Sequence, residues 1–143
     1  MKNLRILIIS FLTIGCALAQ SLKPEDPAPL KPGINKGTVA TGADTQYWYF
    51  IAGPGDVRLV AHYKDHNGFA WPASLTVTLY DEKRTWHVSK VVKEENADAT
   101  FTGKQDRKQR TLISIAPPSG IALISSGGNY ELEVTGGRGE NHT

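Results

Sequence analysis

The sequence contains a single cysteine, Cys16, among its 143 residues. Cys16 lies before the predicted cleavage site of an export signal, so the exported chain would have no thiol and no disulfide. Its fold would then depend on an apolar core, which one domain of roughly 120 residues is large enough to form. Cysteine nucleophiles and thiol redox chemistry are thereby excluded.

An excess of either charge is also lacking. The chain has 16 Lys and Arg residues against 14 Asp and Glu residues. Loss of Lys2 and Arg5 with the signal segment would leave 14 residues of each sign. A surface for nucleic acid or an anionic membrane is therefore not predicted. The basic stretch at residues 104–110 is predicted to be a solvated hairpin tip. The alternative is a binding site for an anionic polysaccharide.

The motifs of common catalytic centres are missing too. The sequence has no Gly-x-Ser-x-Gly elbow and no His-Glu-x-x-His pair. The adjacent carboxylates of Glu94 and Glu95 would diverge rather than flank a scissile bond. The chain is therefore predicted not to be an enzyme.

The first 19 residues are predicted to be a signal peptide. Lys2 and Arg5 precede an apolar run that is too short to span a bilayer, and Ala17-Leu18-Ala19 supplies the small residues of a cleavage site. Cleavage near Ala19 would make the protein secreted or periplasmic. The alternative is a lipoprotein cleaved before Cys16, which Thr13 disfavours because the lipobox usually carries an aliphatic residue there.

Three further parts are predicted after this segment. Residues 20–35 contain four prolines and are expected to form an extended linker. Residues 36–136 are expected to form the folded domain, and residues 137–143 a flexible tail.

Alternation of apolar and polar residues marks the predicted domain. It is clearest at residues 75–80, where three aliphatic residues alternate with two threonines and a tyrosine. At residues 47–51 both faces are apolar, as in a strand covered on both sides. No segment keeps helical periodicity over three turns. About seven to eight short strands separated by turns predict an all-β, antiparallel β-sandwich.

Three segments carry a resemblance to a known family: an aromatic strand with a glycine turn at residues 47–53, a strand that ends in an acidic turn at residues 74–81, and a glycine–tyrosine strand at residues 126–134. In this order they resemble the bacterial pre-peptidase C-terminal domain family. The resemblance covers residues 45–135. It implies a secreted, jelly-roll-like β-sandwich that acts in adhesion, secretion or folding rather than catalysis, and some relatives bind calcium. The turn Asp81-Glu82-Lys83-Arg84 departs from the Asn-Gly pair that is more usual in the family.

Aromatic side chains are the strongest candidates for a binding site, because their rings offer a large rigid contact area with a polar edge. One group lies on a predicted loop, and another lies on outward strand faces, where Tyr47 is also expected. Trp48 and Trp86 are instead expected to fill the core. The candidate ligand-binding residues are Trp71, Phe69 and His66 on the loop and Tyr80 on a strand.

A metal site could be drawn from His62, Asp65 and His66, whose imidazole and carboxylate groups suit zinc. On a straight strand, however, His62 and His66 would lie ~13 Å apart, from ~3.3 Å per residue, which is too far for one ion. Calcium would need clustered oxygen ligands, and the aspartates in the predicted turns form no dense array.

The sequence thus predicts a non-catalytic, secreted β-sandwich that binds extracellular or cell-surface material, either glycan or protein. The alternative is a structural or assembly subunit that docks on a secreted partner enzyme. A metal-dependent hydrolase centred on His62 and His66 is a minor alternative. No cofactor is predicted, calcium being the exception that stays open.

Overall fold

The computed structural model describes residues 21–39, 45–66, 74–117 and 128–136. Within these ranges every regular element is a strand. The described residues include no helix that is long and apolar enough to cross a membrane. The all-β class is therefore confirmed, with nine strands where about seven to eight were expected. The strands are β1 (Ala28–Pro29), β2 (Asn35–Val39), β3 (Gln46–Ala52), β4 (Gly55–Asp65), β5 (Leu75–Asp81), β6 (His87–Val92), β7 (Asp98–Gln105), β8 (Gln109–Ala116) and β9 (Gly128–Gly136).

The strands form two sheets, ordered β1-β3-β8-β5-β6 and β2-β9-β4-β7. Four antiparallel pairs, β2 with β9, β3 with β8, β4 with β7 and β5 with β6, read as one long hairpin whose arms are β2–β5 and β6–β9. Rolling this hairpin places β9 beside β4 and β8 beside β5. This arrangement of eight strands is a jelly roll, as the resemblance implied.

Strand alternation places the core between the two sheets. Along β3, the side chains of Gln46, Trp48, Phe50 and Ala52 are buried, and the residues between them are partly exposed. β9 repeats the pattern from the other sheet. Trp48 is fully buried, which confirms its predicted place in the core.

A chain of buried hydrogen bonds connects the sheets within this core. The indole Nε1 of Trp48 donates to the hydroxyl oxygen of Tyr130 at 2.9 Å, and that hydroxyl donates to Oε1 of Gln46. Burial raises the pKa of Tyr130, so the hydroxyl keeps its proton. Gly37 leaves room for this ring, because a Cβ there would lie 2.3 Å from its Cζ.

The segment predicted to be a linker is extended, but it packs along the edge of β3. β1 pairs in parallel with β3, and the amide of Leu30 donates to the carbonyl oxygen of Tyr49 at 2.9 Å. Further upstream, the amide of Tyr47 donates to the carbonyl oxygen of Ser21 at 2.9 Å. The side chain of Leu30 is fully buried. Residues 21–35 therefore contribute to the packed domain.

The predicted signal segment, the predicted tail and the residues Phe69 and Trp71 lie outside the described residues.

Candidate ligand-binding face

The outward face of the five-stranded sheet carries a depression of about 400 Å³. Its floor follows from the register: Ser114 on β8 lies beside Thr78 on β5, and the ring of Tyr47 on β3 stands on the other side of Ser114. Ser114 and Thr78 are small, whereas the rings around them are large, so the floor lies below its walls. We call this site the sheet depression; it is lined by Pro24, Thr45, Tyr47, Thr78, Tyr80, Arg84, Trp86, His87 and Ser114.

Hydroxyl groups make up the floor. The Oγ1 of Thr78 lies 2.7 Å from the Oγ of Ser89 on β6, close enough for a hydrogen bond in either direction. Ser114 adds a third hydroxyl on the neighbouring strand. Because a hydroxyl both donates and accepts, this floor suits a ligand that carries hydroxyl groups itself.

Tyr80 forms one wall, with only 7% of its surface exposed. The guanidinium carbon of Arg84 lies 5.1 Å from the centre of its ring, within the range of a cation–π contact. Burial raises the pKa of Tyr80 above its usual 10.0, although the charge of Arg84 acts in the opposite direction. The phenol is therefore neutral at physiological pH and can both donate and accept a hydrogen bond.

The turn between β5 and β6 positions Arg84 and Trp86. One carboxylate oxygen of Asp81 accepts the amide hydrogens of Thr85, at 2.6 Å, and of Trp86, at 3.3 Å. The other oxygen accepts from the hydroxyl of Thr85. These hydrogen bonds hold the pKa of Asp81 below its usual 3.8, and the bond from the Thr85 hydroxyl has the largest effect. Arg84 adopts a left-handed φ of 58°, which turns the chain towards β6.

Trp86 is 43% exposed, so its predicted place in the core is wrong. Trp86 is two residues before Val88, so strand alternation would point both side chains towards the opposite sheet. β6, however, is the last of the described strands in its sheet. Inward-facing residues on an edge strand are covered only where the opposite sheet extends over them. Trp86 instead forms an exposed wall of the sheet depression.

A second pair of aromatic and guanidinium groups extends the same face. The guanidinium carbon of Arg110 lies 4.2 Å from the ring centre of Tyr49, and its Nε lies 3.3 Å from a carboxylate oxygen of Glu82. Leu112, between Tyr49 and Tyr80 in the register, is 9% exposed although it faces outward. The sequence predicted that both faces of residues 47–51 are apolar, and this packing agrees with that prediction.

Two of the candidate binding residues can be located. Tyr80 lines the sheet depression, and the neighbouring Tyr47 lines it too, on outward faces as expected. His66 lies just beyond β4 and does not line it; its Nδ1 pairs with Glu94 at 2.6 Å. The sequence did not identify Arg84 and His87 as binding residues, because no periodic pattern marks them. The alternation that places Thr78 and Tyr80 on the same outward face did indicate the face on which they lie.

The three weak metal candidates each contact a different partner. His62 pairs with Asp98 at 2.6 Å, and Oδ1 of Asp65 accepts a hydrogen bond from the side-chain Nδ2 of Asn129 at 2.7 Å. His66 contacts Glu94 as described above. Among the described residues, no group of three or more His, Cys, Asp or Glu residues is placed to hold a metal ion. Metal binding at these residues stays a prediction that metal analysis of the purified protein would test.

The fold and this face together define a jelly-roll β-sandwich with an aromatic depression on its five-stranded sheet. Comparison of the sequence with protein-family models and with curated proteins finds no match. Similarity to the pre-peptidase C-terminal domain family therefore stays a prediction.

Proposed function

We propose that this protein is a non-catalytic binding module that takes a short oligosaccharide in the sheet depression. The observation that carries this proposal is a hydroxyl floor, at Thr78 and Ser114, enclosed by the rings of Tyr47, Tyr80 and Trp86. A sugar ring has an apolar C–H face, which stacks on aromatic rings, and a rim of hydroxyl groups, which exchange hydrogen bonds with polar side chains.

Size and rigidity support the same proposal. A volume of about 400 Å³ lies within the ~300–1,000 Å³ range of small-ligand pockets. Most of the lining residues stand on paired strands, so binding needs little ordering of the backbone. The exported location predicted from the sequence would bring such a module to extracellular or cell-surface glycans.

The test is a glycan array followed by calorimetric titration of the best-bound oligosaccharide. Trp86→Ala and Tyr47→Ala are each expected to weaken binding at least tenfold, which is about 1.4 kcal/mol. Trp86→Phe, which keeps a ring, is expected to lose less. Val91→Ala is the matched control, because Val91 is 48% exposed on β6 but does not line the depression.

Thermal unfolding of each variant separates loss of binding from loss of fold. If Trp86→Ala and Tyr47→Ala bind like the wild type, the depression is not the glycan site. Trp71→Ala in the same assay tests the predicted loop of Trp71, Phe69 and His66. Loss of binding in that variant alone would transfer the proposal to the loop.

A second candidate function is docking on a secreted partner enzyme, and one observation favours it. Among the described strands β6 lies at the edge of its sheet, and Val88 and Val91 on it are 40% and 48% exposed. Within the described part of the chain its outer backbone groups have no strand partner, so it offers them and its apolar side chains to another strand. A partner that copurifies with the wild type and is lost from Val91→Lys would support this function. Retention of that partner by Val91→Lys would argue against it.

A further inference from the structure

A cleft opens between the two sheets where their edge strands, β6 and β7, face each other. Close to the turn that connects these strands, Lys90 closes the gap: its Nζ donates to the carbonyl oxygen of Thr100 at 2.5 Å and lies 5.1 Å from the ring centre of Phe101. Further from the turn a cleft of about 290 Å³ separates the strands. We call it the edge cleft.

The interior of the edge cleft is apolar. Phe50, Leu59 and Phe101, which are at most 6% exposed, belong to its lining. Val88 and Trp86 form the outer wall and are 40% and 43% exposed. A ligand in this cleft would therefore reach core side chains of both sheets and would cover two large exposed apolar residues.

Gly103 keeps part of this space open. It pairs with Val57, whose side chain points into the core, so position 103 also faces inward. A Cβ built at Gly103 would meet no atom of the described residues within 4 Å. Glycine inside a strand weakens it and often marks a bulge, a tight bend or the close approach of a ligand or another backbone. Here the missing side chain leaves a gap that an apolar ligand could fill.

One end of the cleft is polar and positively charged. Lys104, Gln105 and Gln109 line it, beside the turn from β7 to β8. That turn adds the exposed cations Arg107 and Lys108 and the carboxylate of Asp106, and Asp56 on β4 lies opposite Lys104 in the register. Three cations thus stand against two carboxylates at this end. An apolar interior with a cationic end is complementary to a molecule that has a hydrocarbon chain and an anionic head.

We propose that the edge cleft binds a single-chain anionic amphiphile, a fatty carboxylate of medium length, with its carboxylate near Lys104. The length follows from the volume: a dry cavity of about 150 Å³ holds benzene, so 290 Å³ corresponds to a chain of about eight to ten carbons. This proposal does not rest on the glycan site, although Trp86 lines both.

Calorimetric titration with decanoate, below its micelle-forming concentration, tests the proposal. Gly103→Leu is expected to fill the cleft and weaken decanoate binding at least tenfold, with an unchanged or higher melting temperature. Thr135→Leu is the matched control, since it adds the same side chain to an exposed position of β9 that lines neither the edge cleft nor the sheet depression. Glycan binding by Gly103→Leu is expected to stay at the wild-type level, which separates the two sites.

The position of the head group is tested with Lys104→Gln. This variant should bind decanoate several-fold more weakly than the wild type and bind 1-decanol equally well. The proposal is overturned if the wild type does not bind decanoate, or if Gly103→Leu binds it as tightly as Thr135→Leu does. A wild-type dimer that Gly103→Leu dissociates would also overturn it, because a second copy would then occupy the cleft.

Sedimentation with phosphatidylglycerol vesicles distinguishes the source of the chain. A free acid is supported if the wild type binds decanoate and does not sediment with the vesicles. Sedimentation that is lost in Gly103→Leu would overturn the free-acid assignment in favour of a membrane lipid.

Discussion

The hydroxyl of Tyr130 connects the two sheets through the core, because it accepts from Trp48 and donates to Gln46. Both partners are at most 2% exposed. A polar group at this depth is expensive to leave without a hydrogen bond. These two hydrogen bonds therefore contribute more to the free energy of unfolding than the same bonds would at the surface.

Tyr130→Phe is expected to lower the free energy of unfolding by about 2 kcal/mol, since it leaves a buried N–H and a buried carbonyl oxygen unpaired. Urea unfolding at neutral pH measures the change. Tyr49→Phe is the control: it removes a hydroxyl from a partly exposed ring and should stay within about 0.5 kcal/mol of the wild type. Equal stability of the two variants would show that the buried bonds contribute little.

The hairpin of β5 and β6 depends on the carboxylate of Asp81, which accepts from Thr85 and Trp86. Its pKa is lowered in the folded chain, so its stabilising contribution is complete above the usual value of 3.8 and is lost as the pH falls through the lower folded value. The geometry of Arg84 and Trp86, and with it glycan affinity, should follow that titration.

In the wild type we expect the indole environment of Trp86 to change below pH 3.8, as Asp81 takes up its proton. Asp81→Ala is expected to weaken glycan binding at neutral pH and to remove this change. The indole resonance of Trp86, followed by NMR from pH 7 downwards, reports this change. Glu82→Gln removes a charge from the same turn and should keep the titration. A wild-type indole resonance that stays constant to pH 2 would contradict the role given to Asp81.

Strand faces could be predicted from the sequence because alternation is a local property of the chain. The outward position of Tyr80 and the buried position of Trp48 both follow from it. Exposure of Trp86 could not be predicted in this way, since it depends on how far the opposite sheet extends over an edge strand. The edge cleft was missed for the same reason, although the lone glycine in β7, Gly103, was a signal for it.

At the scale of the whole molecule, the jelly roll pairs strands that are far apart in sequence, such as β2 with β9. No local pattern specifies such pairs, and only the resemblance of three segments implied them. Composition also did not indicate that residues 21–35 pack along β3. Prolines suggested a linker at residues 20–35, but proline is compatible with the outermost strand of a sheet, where β1 lies.

Leu30→Ala tests whether residues 21–35 belong to the folded domain. Leu30 is fully buried beside β3, so the substitution should lower the free energy of unfolding by about 3 kcal/mol, as for other buried leucines. Ile34→Ala is the matched control four residues away, because Ile34 is 58% exposed and should change stability by less than about 0.5 kcal/mol. Urea unfolding of the two variants gives the comparison. If residues 21–35 were only a linker, neither substitution would change the free energy of unfolding. If they pack along β3, only Leu30→Ala should lower it.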